Sequence, residues 1–327
     1  MSELNAPAVT ITKALSLSES QVGFITSVFS IGGLISSTLA GGLSTKHGLK
    51  ISFIITTIFY TVGSYLESIA HDFFWMLTGR FVSGVGAGFA IVFVPLYINQ
   101  ISPVQLRGFF GSLCQVSVNA GILLTQVLAI RWANDENWRL ILSTAVVLGL
   151  ITLVLVILVL DESPNWLVLN KHDEAAGFSI LMKLRNNDRS ACETEIELWK
   201  QEKRKHLELI ESNPQLKNLN FYNYLTDPNY ANSRKVATFS MLGQQFAGIN
   251  SIIFYGVKIL NGMFPEASIL INCMVSVSNM VITLIASLFL DRLGRIPLLL
   301  TSLGLMGFAS VGLSVGVLFD NSALTVS

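Results

Sequence analysis

Side-chain amides inside apolar stretches are the groups of this chain best suited to chemistry. Gln244, Gln245 and Asn250 lie within residues 236–260, a run long and apolar enough to cross a bilayer, because about 20 residues at a rise of ~1.5 Å span a hydrocarbon core of ~30 Å. A carboxamide brings two N–H donors and a carbonyl acceptor, and lipid satisfies none of them. Such residues face other helices or line a polar cavity, where they can both donate to and accept from the hydroxyls of a neutral ligand. At about 100° per residue, Gln244, Gly248, Ser251 and Tyr255 share one face, whereas Gln245 and Asn250 fall about 140° apart. A straight helix cannot aim all these amides at one ligand. The sequence therefore predicts a break near Gly248, where unwound backbone is tolerated only beside a cavity. Hydrogen bonding between helices, with no ligand, explains the same amides equally well.

Two further spans carry amides. Residues 109–130 contain Gln115, Asn119 and Gln126, whose spacing of four and seven lines them along one helical face. A polar stripe on a lipid-length helix implies a wet cavity or a polar helix contact. Asn279 sits near the middle of the span at residues 267–290, an expensive place for an amide without a partner. Arg80, just inside the span at residues 74–98, must be paired or must reach an interface. In the same span Gly84, Gly86 and Gly88 point to close backbone approach, as do Gly32, Gly33, Ser36 and Ser37 in the span at residues 22–40.

These residues require apolar helices to position them, and composition supplies them. Hydrophobic residues make up 51% of the chain and charged residues 13%, with zero formal net charge, a balance that excludes an ordinary soluble domain and a nucleic-acid binder. Scattered histidines and cysteines exclude a metal cluster or disulfide framework. No nucleophile–base pair or phosphate-binding loop suggests an enzyme, and no cofactor is implied. Further spans fall at residues 51–69, 141–160 and 297–319, for about eight in all; the one at 141–160 is nearly featureless and expected to face lipid. Residues 1–20 read as a polar loop, and residues 161–235 as a soluble region with helices at 173–184 and 193–210. The run Glu202-Lys203-Arg204-Lys205 reads as a solvated helix face. Loops bearing Lys46 and Lys50, Arg107, the 161–235 region, and Arg292 with Arg295 alternate with loops poor in Lys and Arg, so the basic set is expected to be cytosolic. The fold class is thus all-α and polytopic. Residues 1–160 form an N-terminal transmembrane half, 161–235 a cytosolic linker domain, and 236–327 the start of a second half. The turn Asp291-Arg292-Leu293-Gly294-Arg295 echoes residues 45–50 in position, as internal repeats of transporters do.

Together these residues resemble the sugar porter family of the major facilitator superfamily. The resemblance rests on Gly79-Arg80, Val94-Pro95-Leu96-Tyr97 with Pro103, Leu106-Arg107-Gly108, Glu162-Ser163-Pro164 with Trp166-Leu167, Gln244-Gln245 with Gly248-Ile249-Asn250, and Asp291-Arg292-Leu293-Gly294-Arg295. It implies a bundle of about twelve helices in two halves around a mid-membrane sugar site. Carried over by motif, Gln115, Gln244, Gln245, Asn250 and Asn279 would contact a hexose or related polyol. Tyr255, Arg80, Arg107, Asp291, Arg292 and Arg295 would serve gating. The mechanism implied is alternating access in the lipid bilayer, of the plasma membrane or the vacuole. Nothing selects between uniport and a co-transported proton except that no intramembrane carboxylate is evident beside Arg80, which favours facilitative transport.

The departures carry their own expectations. Most of the family's first helix and the last three have no counterpart among these residues, so the resemblance is to a truncated member. Where the family carries charges in its first cytosolic cluster, this chain has Thr45, Leu49 and Gln100. A weakened latch is expected, favouring the inward-facing state by about 1 to 3 kcal/mol. A sugar sensor that does not transport, and an inactive product, are the other readings.

Overall fold

The computed structural model describes residues 7–103, 106–132, 137–212, 226, 228–246, 268–293, 296–308 and 311. Every regular element among them is helical. In chain order these are α1 (Ala8–Ala14), α2 (Glu19–His47), α3 (Leu49–Ser68), α4 (Phe73–Ile101), α5 (Arg107–Trp132), α6 (Trp138–Leu158), α7 (Pro164–Leu169), α8 (Glu174–Leu184), α9 (Arg189–Ser212), α10 (Ala231–Phe246), α11 (Ser268–Leu293) and α12 (Ile296–Phe308). Helices α2 to α6 are each long and apolar enough to cross a membrane, and α11 and α12 contain shorter apolar stretches, Cys273–Leu288 and Ile296–Phe308.

The helix starts follow their capping residues. Ser18 and Gln21 close a reciprocal capping box at α2, and Asp72 accepts from the Trp75 N–H at α4. Ser163 caps α7 ahead of Pro164, and Asp173 caps α8. Two expectations need correction. Residues 8–14 are helical rather than loop, because Ile11, only 3% exposed, packs with Leu17, Ile25, Ala70, Met76, Trp138 and Leu142 under one end of the bundle. Residues 164–169 form a short helix that hydrophobic periodicity over so few residues cannot signal.

Helix α4 is the centre of the bundle, packed against α2 on one side and α3 on the other. Its glycines explain how. A Cβ on Gly84 would strike the Phe29 carbonyl of α2, and one on Gly88 would strike the Gly33 backbone and the Ser36 hydroxyl. Gly86, about 200° around the helix from Gly84, meets Tyr60 of α3 instead. The spacing of two therefore serves two neighbours, and the small residues Gly32, Gly33 and Ser36 line the α2 side as expected. Ser37 bonds to Leu34 within its own helix.

Helix α6 is less featureless than its sequence. Trp138, Ile141, Leu142 and Ala145 are buried, and Gly149 lies against Thr61 of α3, while Val147, Leu148, Leu150, Ile151 and Val154 are exposed on the other face. In the linker domain, α7, α8 and α9 close a small core of Val168, Leu181, Cys192, Ile196 and Trp199. The charged run of α9 is only partly a solvated face: Glu202 is exposed, but Lys203 is half-buried and its ammonium donates to the Leu169 carbonyl at the end of α7.

The turn between α2 and α3 is held by this domain. Gly48 takes a left-handed φ of 85° and has no side chain with which to cap α3. The cap comes from Glu162: its Oε1 accepts from the Leu49 N–H at 2.8 Å and the Lys50 N–H at 3.2 Å. Trp166 Nε1 donates to the Thr45 carbonyl at 2.9 Å, Ser163 Oγ to Gln100 Oε1 at 2.5 Å, and the Tyr97 hydroxyl to the Asp161 carbonyl at 2.9 Å. Thr45, Leu49 and Gln100 are thus engaged through backbone groups and an amide where charges were expected. The loops near residues 48, 102 and 161 consequently lie at one end of the bundle. Glu162→Ala is expected to remove about 1 to 2 kcal/mol and to abolish hydrogen-exchange protection at Leu49 and Lys50. Glu162→Gln, which keeps one acceptor, should lose about half as much; equal protection in all forms would refute the cap.

Candidate functional site

The polar stripe of α5 meets α11. Gln115 Nε2 donates to Asn119 Oδ1 at 3.4 Å, Asn119 Nδ2 donates to Thr283 Oγ1 at 2.8 Å, and Thr283 Oγ1 donates to the Asn279 carbonyl at 2.7 Å. Gln115 is exposed, Asn119 is 3% exposed, and Asn279 is half-buried. Spacing by four and seven puts Asn119 and Gln126 on the inward side of α5, and Gln126 is 3% exposed with an Oε1 that has no hydrogen-bond partner. Gln115 is thereby linked through Asn119 to α11 one turn from Asn279, which enters the chain by its backbone carbonyl rather than its amide. Thr283, the residue that makes this link, carries no signal of its own, since a threonine in an apolar helix most often bonds back within the helix.

Gln244 and Gln245 lie in the last turns of α10, with Gln245 exposed. Asn250, Tyr255 and the predicted break near Gly248 lie outside the described residues. Asp291 and Arg292 fall in the last turn of α11, and Arg295 lies outside the described residues. Arg107 opens α5, and its Nε donates to the Ser102 carbonyl at 3.5 Å across the turn from α4.

Arg80 has a partner that the sequence reading missed. Its Nη2 lies 3.3 Å from Glu67 Oε2, both residues being almost wholly buried, at 2% and 1% exposed. Glu67 Oε1 also accepts from the Ser83 hydroxyl at 2.6 Å, and the guanidinium carbon of Arg80 stands 5.6 Å from the centre of the Phe29 ring. The geometry is that of an ion pair backed by an aromatic face, because Arg80 Nε and Nη2 have no well-aligned acceptor. The expectation that no intramembrane carboxylate stands beside Arg80 is therefore corrected. Glu67 is one residue from the end of α3 and reads in sequence as an interfacial residue. Its link to Arg80 arises only when α3 and α4 pack, with Gly79 admitting the Glu67 side chain against the α4 backbone.

The helical fold is shared with solved structures. The fold matches that of the structure "The structure of the MFS (major facilitator superfamily) proton:xylose symporter XylE bound to 6-bromo-6-deoxy-D-glucose" with a TM-score of 0.75 at 20% identity, over 90% of this chain and 66% of that one. The chain is 39% identical over 317 residues to "Probable metabolite transport protein YBR241C" of Saccharomyces cerevisiae, covering 97% of this chain and 64% of the relative. It is 30% identical over 298 residues to "Solute carrier family 2, facilitated glucose transporter member 2" of Gallus gallus, covering 89% of this chain and 54% of the relative. The chain thus spans less than two thirds of the length of these curated relatives. The family model described as "Sugar (and other) transporter" matches residues 3–325, and this multi-pass integral membrane protein belongs to that family.

Proposed function

We propose that the chain carries the first half, and the opening of the second, of a carrier that moves a hexose or related sugar or polyol by alternating access. The observation that supports this most is the hydrogen-bonded chain from Gln115 through Asn119 to Thr283, which sets amides of the first half against α11 one turn from Asn279. Neutral amides suit this task because they donate to and accept from hydroxyls, and a poorly matched sugar leaves a buried amide unpaired. Gln244, Gln245 and Asn250 would complete the set. Tyr255 would close the outer face, and Arg107, Asp291, Arg292 and Arg295 would hold the cytosolic ends.

Uptake of labelled D-glucose, D-xylose and myo-inositol into proteoliposomes tests the reading. Saturable uptake of at least one is expected, with Gln115→Ala combined with Asn279→Ala lowering uptake at limiting substrate about 10-fold or more. Saturable binding without uptake would favour a sensor, and neither signal would refute the sugar reading. Glu67 removes the ground for preferring facilitative transport. The same vesicles with and without a pH gradient decide between uniport and proton coupling, with Glu67→Gln as the variant to compare.

A further inference from the structure

We propose that Asn119 is a positioning residue that fixes which end of the Gln115 amide faces the ligand, and that Thr283, on the opposite half, sets it. This deepens the sugar-carrier reading and rests on it. The inference follows from the order of donors and acceptors. The Asn279 carbonyl can only accept, so the Thr283 hydroxyl that bonds it at 2.7 Å gives its single proton there. Thr283 Oγ1 must therefore accept from its other neighbour, and Asn119, 2.8 Å away, must offer its N–H₂. An amide whose nitrogen is committed in that direction presents its Oδ1 on the opposite side. Oδ1 in turn accepts from the Gln115 nitrogen at 3.4 Å.

The polarity of the whole chain is thus dictated by one backbone carbonyl of α11. Burial makes the dictate effective: Asn119 is 3% exposed, so water cannot stand in for Thr283 if the amide turns over. Gln115 is exposed and is the member that reaches open space. With its nitrogen held by Asn119, it turns the acceptor Oε1 outward, together with the one remaining N–H. A ligand group meeting Oε1 must be a donor. A sugar hydroxyl satisfies that requirement, whereas a fluorine at the same carbon can only accept, and weakly. The chemical class selected is therefore a polyhydroxyl compound whose hydroxyl donates at this point, and ether, keto or fluoro analogues are disfavoured there.

The test compares D-glucose with its monodeoxyfluoro analogues in proteoliposomes containing wild type, Asn119→Leu, Thr283→Val or Thr283→Ser. The wild type is expected to show, at one ring position, about a 10-fold higher KM for the fluoro analogue with little change in maximal rate. In Asn119→Leu and Thr283→Val the Gln115 amide is free to turn, and that ratio should fall to about 2-fold or less. Thr283→Ser retains the hydroxyl and should keep the wild-type ratio. An unchanged ratio in both Asn119→Leu and Thr283→Val overturns the proposal, since mere loosening of the helix contact would shift all analogues together.

A thermal-unfolding double-mutant cycle on Asn119→Leu and Thr283→Val supplies the second arm, which needs no transport. Strict additivity shows that the two side chains are not bonded and overturns the relay, and non-additive losses support it. If the wild type takes up no D-glucose, this arm still decides the relay, and the sugar reading fails separately.

Discussion

Replacing Glu67 by alanine is expected to destabilise the protein by about 3 to 5 kcal/mol, because it leaves the Arg80 guanidinium buried without a counter-charge. Arg80→Leu should cost a similar amount by stranding the carboxylate. The double replacement Glu67→Leu with Arg80→Leu is expected to recover most of the loss, since the desolvation of both charges disappears together with their attraction. Thermal unfolding in detergent, followed by loss of the monodisperse species, measures all three. The pair at 3.3 Å is buried on every side by α2, α3 and α4, with Phe29 over the guanidinium. If the single and double variants unfold at the same temperature as the wild type, the two groups are solvated and the pairing is incidental.

Gly84→Leu is expected to be strongly disruptive, at about 3 kcal/mol or more. The obstacle is the Phe29 backbone of α2 rather than a side chain that could turn away, so the two longest described helices would have to separate. Gly121 provides the contrast. A Cβ there meets nothing, so Gly121→Ala is expected to be neutral or to stabilise α5 by up to about 1 kcal/mol. Yield and unfolding temperature in detergent separate the two outcomes, and equal tolerance of both changes would refute the close α2–α4 contact.

The ease with which each part could be read from sequence follows from the range of the interaction involved. Spans α2 to α6 were legible to within about three residues at each end, because length and apolarity are properties of a single segment, except that α2 continues to His47, seven residues past its expected end and into the basic stretch read as a loop. The stripe of Gln115 and Asn119 was legible for the same reason, being one face of one helix. Glu67 was not, since its position near a helix end is chemically ordinary until Arg80, from the next helix, is packed onto it. Thr283 was hidden in the same way, as was the role of Glu162: its motif was recognised, but its oxygen atoms act on the start of a different helix. Residues 8–14 were misread as loop because a seven-residue helix owes its order to tertiary contacts at Ile11.

The capping of α3 by Glu162 also has a bearing on how the protein is made. The acceptor for the Leu49 N–H lies 113 residues further along the chain. During synthesis, α2 and α3 emerge and can enter the membrane long before that carboxylate exists, so the first turn of α3 starts life with unanswered N–H groups. The Gly48 turn is then held only locally until α4, α5 and α6 have followed and the chain has re-emerged at the same end of the bundle. Completion of this helix pair is thus a late event, and the ribosome must pass residue 162 before the α2–α3 hairpin acquires its final geometry.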